Sequence, residues 1–345
     1  MISFLDQDFS ALNASVKQIN PSQIFILCDE NTHQHCLPTL LGNLQTTCPI
    51  EILEIEAGEE MKTIETAVQL WEILAEYGAD RKSLLLNLGG GVITDLGGFV
   101  ASTYKRGISF IHIPTTLLAM CDASLGGKTG IDHQFLKNIV GTFALPENIL
   151  VYPPFLKTLP FKELRSGFAE MLKHGLIADH THWLSLSNLE QISVENITPH
   201  IETSMKIKEN IINIDFKEQN IRKVLNFGHT IGHAIESFFL SKGNILPHGE
   251  AVAAGMICET YLSLTKELLP EPIAHSIINR IRHFYPKLET IWDNETLFSL
   301  MLNDKKNTNG KIQFSLISNI GEGLYNEECS KENILSALDF YKALS

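Results

Sequence analysis

Ser83-Leu-Leu-Leu-Asn-Leu-Gly-Gly-Gly-Val-Ile-Thr-Asp95 runs from an apolar stretch through three glycines into a segment of helical character. An uncharged, leucine-rich run of this length suits a strand covered on both faces, as in a parallel sheet layered between helices. Glycines at the strand exit let backbone N–H groups and the N-terminus of the following helix approach a phosphate or pyrophosphate. The spacing does not match GxGxxG, so the usual dinucleotide fingerprint is excluded. A tight turn with no ligand is the alternative reading, in which Asp95 is a surface acid or a helix cap.

Short apolar runs at 23–28, 50–53 and 109–113 flank that stretch, and 64–77 has helical periodicity. Strands alternating with helices predict an α/β domain with a largely parallel sheet. After about Pro153 the pattern changes to long amphipathic segments at 161–177, 196–213, 222–239, 248–266 and 271–284. Only a short strand pair, 312–317 with 323–325, interrupts them before a last helix from about 331. A chain of 345 residues exceeds one ordinary compact core. The expectation is therefore an α/β domain over 1–153 and a mainly α-helical domain over 154–345. Between Pro114-Thr-Thr116 and Asp132 lies a polar, glycine-rich stretch holding Asp122 and Lys128, which reads as a loop suited to substrate contact.

The formal charge of −13 disfavours a nucleic acid partner. Against that background Lys105-Arg106, Lys128, Lys137 and Lys305-Lys306 sit beside glycines and polar residues, which points to a small anionic ligand. The cysteines are scattered without a CxxC pair and read as reduced, mostly buried thiols. No apolar stretch approaches the roughly 20 residues of a membrane span, and the N-terminus lacks the features of a signal peptide. A cytoplasmic protein with no membrane partner is expected.

Asn226-Phe-Gly-His-Thr-Ile-Gly-His-Ala-Ile-Glu236 stacks His229 and His233 on one helical face, and His248 follows in Pro247-His-Gly-Glu250. Imidazoles at i and i+4, a further histidine and one carboxylate would make a divalent metal site with an open position. Chance spacing on an amphipathic helix is the other reading. Glu170, Lys173 and His174 fall within one turn of 161–177, either as a solvated triplet or as a ligand beside a phosphate-binding neighbour.

Several blocks now carry a resemblance: GGGVITDLGGFVAS (89–102), YKRGISFIHIPTTLLAMCDASLGGKTGID (104–132), LKNIVGTF (136–143), GFAEMLKHGLI (167–177), IRKVLNFGHTIGHAIE (221–236), PHGEAVAAGM (247–256) and NDKK (303–306). In this order they resemble the 3-dehydroquinate synthase family of sugar-phosphate cyclases. The resemblance implies NAD on the α/β domain and a divalent metal, zinc or cobalt, on the helical one, in a homodimer. The implied reaction of the shikimate pathway turns a small sugar phosphate, 3-deoxy-D-arabino-heptulosonate 7-phosphate, into 3-dehydroquinate and phosphate. NAD would be recycled through C5 oxidation, phosphate elimination and re-reduction, before ring opening and an intramolecular aldol closure.

Carried over by motif, Glu170, His229 and His248 are the implied metal ligands, His233 an acid/base group, and Glu218 a second one. Arg106, Asp122, Lys128, Lys173, Lys208, Arg222 and Lys306, with Asn138 and Asn226, are the implied substrate contacts. Lys305 is the weaker candidate of its pair. For NAD the matching positions are Asp29, Asn31, Glu59, Lys62, Gly90, Gly91, Val92, Asp95, Thr115, Thr116, Lys137, Phe155 and Thr158. An acid near the end of an early strand, such as Asp29 or Glu59, would bond ribose hydroxyls and favour NAD over NADP.

Overall fold

In the computed structural model, which describes residues 1–133, 136–302 and 312–344, the leucine-rich run is strand β4 (Leu84–Gly89) of a six-stranded sheet. Strands β1 (Ile2–Phe4), β2 (Ile24–Asp29), β3 (Ile50–Ile55), β5 (Ser109–Pro114) and β8 (Asn148–Val151) complete it. The order is β1-β8-β5-β4-β2-β3, and every pairing is parallel. Residues along β2 alternate between two cores, as the period of a strand requires. Ile24, Ile26 and Cys28 face one, with Leu12 of α1 (Ser10–Ile19) and Leu37 and Leu40 of α3 (Leu37–Asn43), which follows α2 (Glu30–His35). Phe25 and Leu27 face the other, with Leu70 and Leu74 of α4 (Ile64–Glu76) and Leu96 and Val100 of α5 (Gly91–Thr103). Each such side chain, fully covered, contributes roughly 1.5–3 kcal/mol, so burial on both faces holds the sheet.

The chain divides into two units, Met1–Pro160 and Phe161–Ser345, slightly beyond the expected 153/154 boundary. A 3-10 helix at Pro153–Thr158 drives Phe155 into the first core, its ring 5.1 Å from that of Tyr152, and this keeps the connector with the first unit. The stretch ending at Asp132 is not the loop expected. Ala119–Ala123 form a single π-helical turn, and β6 (Lys128–His133) pairs antiparallel with β7 (Leu136–Phe143) as a hairpin. Gly141 explains how the two backbones come so close, because a side chain there would overlap the Thr129 carbonyl.

The second unit contains α6 (Phe161–Ala178), α7 (His180–Ser187), α8 (Val194–Ile214), α9 (His229–Ser241), α10 (His248–Thr265), α11 (Glu271–Phe284), α12 (Asn294–Leu302) and α13 (Lys331–Ala343). A hairpin of β9 (Gln313–Asn319) and β10 (Glu322–Glu328) is its sheet. The continuous helix expected over 222–239 is broken. Ile221–Asn226 is a 3-10 segment, and the chain turns at Gly228, whose φ of 79° is left-handed, before α9 begins. A side chain at Gly228 would overlap Met256 of α10, so the turn is glycine for steric as well as conformational reasons. Among the described residues no helix is long and apolar enough to cross a membrane. All six cysteines are free, and Cys28, Cys36, Cys121 and Cys258 are buried.

One buried histidine makes the first unit sensitive to acid. His112 on β5 accepts a hydrogen bond at Nδ1 from the Asn87 amide at 3.2 Å, and burial pushes its pKa down from the ordinary 6.5 to about 3. Between those values the unfolded chain binds a proton that the folded chain refuses. This contribution to stability is intact above pH 6.5 and is lost as pH falls toward 3, at about 1.4 kcal/mol per pH unit. Urea midpoints measured at neutral and mildly acidic pH should fall more steeply for the native chain than for His112→Gln.

Candidate metal and nucleotide sites

Three helices of the second unit bring Glu170 (α6), His229 (α9) and His248 (α10) together, with one ligand atom from each lying within 4.8 Å of the others. Glu170 Oε1 is 3.4 Å from His229 Nε2 and 3.3 Å from His248 Nε2. Lys173, one turn along α6 and as deeply buried, is ion-paired with Glu170 Oε2. Burial opposes the charge on Glu170, yet Lys173 and the two imidazoles hold its carboxyl well below the usual carboxylate range.

His229 bears most directly on what this cluster can hold. Its Nδ1 lies 3.1 Å from the Phe227 carbonyl, which can only accept, so Nδ1 carries the proton and Nε2 presents a lone pair. Burial, then Lys173, pushes its pKa down to about 3, so the ring is neutral. A lone pair and a buried carboxylate oxygen therefore face each other, an arrangement that favours a cation bound between them. Two imidazoles and one carboxylate are also a donor set suited to a catalytic divalent ion. The residues fit the group.

His248 Nδ1 is 3.5 Å from Glu236 Oε2. Burial works against a proton on His248, but Glu170 and Glu236 outweigh it and push the pKa up to about 10. His233 sits one turn from His229, with ring centroids 5.1 Å apart, and joins Glu236 and His248 in an adjoining cluster. The sequence reading left Glu236 out, although a carboxylate at i+3 from His233 and i+7 from His229 lies on the same helical face. Elsewhere in the unit, the Asn226 amide donates to Glu218 Oε1 at 2.7 Å. Arg222 is buried, with its guanidinium donating to the Phe216 carbonyl, and Lys208 is buried on α8. Lys305 and Lys306 lie outside the described residues.

In the first unit the expected nucleotide positions gather at the carboxyl ends of the parallel strands. Asp29 closes β2, Glu59 follows β3, Gly90 follows β4 and Thr115 follows β5. The strand order changes direction between β2 and β4, which is where open α/β sheets take their ligands. Helix α5 starts from Gly90 without a side-chain cap, leaving the first N–H groups at Gly91, Val92 and Ile93 for an anion. The Thr115 N–H donates to the Gly89 carbonyl at 3.0 Å, and Thr116 Oγ1 accepts from the Ala119 N–H at 3.1 Å, fixing both threonines beside the glycines.

Asp95 is neither a free surface acid nor a cap. It is ion-paired at 2.6 Å with Lys62, which is 2% exposed. Asp29 doubles as the N-cap of α2, accepting from the Thr32 N–H at 2.8 Å, and Asn31 is exposed on that helix. Lys137 is 3.7 Å from Glu59. Arg106, Lys128 and Asn138 are exposed, and the Asn138 N–H donates to Asp132 at 2.7 Å. Asp122 is half-buried in the π-helical turn. Phe155 is buried in the core, with exposed Thr158 hydrogen-bonded to its carbonyl.

Comparison with known proteins gives concordant results. Models described as 3-dehydroquinate synthase N-terminal and C-terminal match residues 52–166 and 167–307. A 3-dehydroquinate synthase of Parabacteroides distasonis is 43% identical over 336 residues, covering 96% of this chain and 95% of the relative. One of Leptospira interrogans is 35% identical over 345 residues, covering 99% and 95%. Among solved structures, a 2-epi-5-epi-valiolone synthase from Streptomyces hygroscopicus with NAD+ and Zn2+ bound superposes with a TM-score of 0.88 at 25% identity, covering 99% of this chain and 96% of its own. A probable glycerol dehydrogenase from Sinorhizobium meliloti shares the fold at a TM-score of 0.67 and 15% identity, covering 100% and 98%.

Proposed function

The chain belongs to the 3-dehydroquinate synthase family, and from that premise we propose how its residues divide the conversion of 3-deoxy-D-arabino-heptulosonate 7-phosphate into 3-dehydroquinate and phosphate. Bound NAD supplies a reversible hydride acceptor and the divalent ion, zinc or cobalt, a Lewis acid for the C5 hydroxyl. Glu170, His229 and His248 would hold the ion, and the observation that carries this is the His229 lone pair turned onto the Glu170 oxygen. His233, one turn from His229, moves the hydroxyl proton. Glu218 orients Asn226 through their hydrogen bond and acts as the second acid/base group.

Substrate phosphate and carboxylate need fixed cations. By family resemblance Lys173, Lys208, Arg222, Arg106, Lys128 and Lys306 are proposed to supply them, with Asp122 and Asn138 completing the set. Arginine suits bidentate contact with either anion, while lysine supplies a point charge. The substrate phosphate can itself take the C6 proton during elimination, so the main contribution of these side chains is positioning. For NAD, Gly90, Gly91 and Val92 would hold the pyrophosphate at the uncapped start of α5. Asp29, Asn31 and Glu59 would meet ribose hydroxyls, and Lys62, Asp95, Thr115, Thr116, Lys137 and Thr158 would line the remainder, while the Phe155 ring packs into the core and leaves only its backbone for the nucleotide.

Purified protein with NAD and Zn2+ should release phosphate from the sugar phosphate, lose that activity on chelation, and accumulate no NADH. NADH build-up would instead indicate a dehydrogenase, and absence of phosphate release another substrate. The enzyme is cytoplasmic in this reading and a homodimer. Strand β7 leaves Ile139 and Phe143 exposed on one face of the hairpin, a surface that a second copy can cover. Sedimentation at twice the chain mass, reduced to the single-chain mass by Phe143→Glu, is the check.

A further inference from the structure

The two helices that carry the histidine ligands both begin without a side-chain cap of their own, α9 after Gly228 and α10 after Pro247. In each case a buried side chain from a neighbouring helix takes the cap's place. Ser166 of α6 accepts the Gly249 N–H at 2.9 Å, at the start of α10. Glu259 of α10, wholly buried, accepts the Gly228 N–H at 2.5 Å through one oxygen and the Ile231 N–H at 3.1 Å through the other. These amides bracket His229. Glu259 lies about three turns along α10 from His248, so the anchor and the ligand project from the same side of one rigid rod.

The backbones are in contact at this point. A side chain at Gly255 would overlap the Gly228 carbonyl, and one at Gly249 would overlap the Ser166 backbone. With α9 and α10 touching, the remaining freedom of the His229 turn is rotation and fraying, and a two-point acceptor removes both. A buried carboxylate is a costly way to fill space, since an apolar side chain of the same size needs no partners. Its value here is directional.

We infer that Glu259 is a positioning residue, whose carboxylate clamps the first turn of α9 onto α10 and thereby fixes the separation of the His229 and His248 imidazoles. The clamp is a property of the metal-free chain. Its consequence for ion affinity rests on the ligand reading proposed above.

The test uses the full chain with Glu259→Gln, and with Ser263→Ala as a control. Ser263 is buried one turn further along α10, where its hydroxyl accepts the Ile317 N–H at 3.2 Å and donates to the Glu259 backbone carbonyl at 2.9 Å, so its removal leaves the Glu259 carboxylate and its two N–H partners in place. Glutamine keeps the shape but offers only one acceptor oxygen and turns its NH2 against the other N–H. Three quantities are read: amide exchange of the 227–233 peptide in metal-free protein, Zn2+ affinity by competition with a chromophoric chelator, and the visible spectrum of the Co2+-loaded protein. Glu259→Gln should exchange faster at that peptide, bind Zn2+ about 10- to 100-fold more weakly and shift the Co2+ spectrum. Ser263→Ala should lower the melting temperature and leave all three unchanged.

If Glu259→Gln does not fold, Glu259→Asp, which keeps the charge on a shorter arm, should show the same three changes. Native exchange and affinity in a folded Glu259 variant overturn the inference, as does equal Zn2+ weakening by Ser263→Ala. Zn2+ uptake that survives His229→Asn would overturn the ligand reading instead, and the exchange result would still decide the clamp.

Discussion

His248→Ala should lose the divalent ion and all measurable turnover, whereas His233→Ala should keep one ion per chain and lose about 10²- to 10⁴-fold in kcat, the usual worth of a proton-transferring side chain. The division follows from which atoms meet Glu170. His248 Nε2 is 3.3 Å from Oε1 of that carboxylate, in a cluster completed by His229 Nε2. His233 belongs to the adjoining group with Glu236 and His248, its ring 6.1 Å from that of His248. His248 is common to both groups, so removing it dismantles either one. Removing His233 leaves the Glu170 group whole. Metal analysis of gel-filtered protein decides the matter: equal ion loss in the two variants would mean that His233 is a ligand and that the Glu170 group is not the site. Glu170→Gln sharpens the comparison, because of the two groups that share His248 it belongs only to the first. It should release the ion while leaving Glu236 and His233 in place.

The strand-to-glycine-to-helix passage at 83–95 was legible because every signal in it is local. An apolar run covered on both faces, glycines and a helical pattern all act within a few residues, and β4 and α5 form there. The break at Gly228 was not legible, since Arg222 to Asn226 have the spacing of a helix and nothing nearby in sequence forbids one. The chain turns there because Gly228 takes a left-handed φ of 79°, and Met256, brought against it by packing, leaves no room for a side chain. The hairpin of β6 and β7 was hidden in a similar way: glycines that ordinarily signal a loop are there to let two strands approach. At the candidate metal site, Glu236 could have been found from its place on the His229 and His233 face. Glu259 could not, because its partners are backbone N–H groups far away in the sequence, and no side-chain pattern reports them.

Lys62→Met should lower the stability of the first unit by about 3 kcal/mol, a fall of roughly 6–12 °C in its melting temperature, and weaken NAD by roughly 10- to 100-fold. Lys62 ties three segments together. Its ammonium pairs with Asp95 in the first turns of α5, its N–H donates to the Glu59 carbonyl at 3.0 Å, and its own carbonyl accepts from the Asp132 N–H at 2.8 Å on β6. Burial works against its charge, yet Asp95 and then Glu59 raise its pKa, so it stays an ammonium ion in the folded chain. Methionine matches the length and removes the charge, leaving Asp95 with 17% of its side chain exposed and its cation gone. The cost of breaking such a pair lies largely in the abandoned partner. Lys62→Met/Asp95→Asn should therefore regain most of the lost stability. It should not regain NAD affinity if the ammonium and the carboxylate meet the nucleotide themselves. Calorimetric melting and NAD titration of the single and double variants separate the two roles. Recovery of both quantities in the double variant would make Lys62 a structural residue and remove it, with Asp95, from the nucleotide contacts.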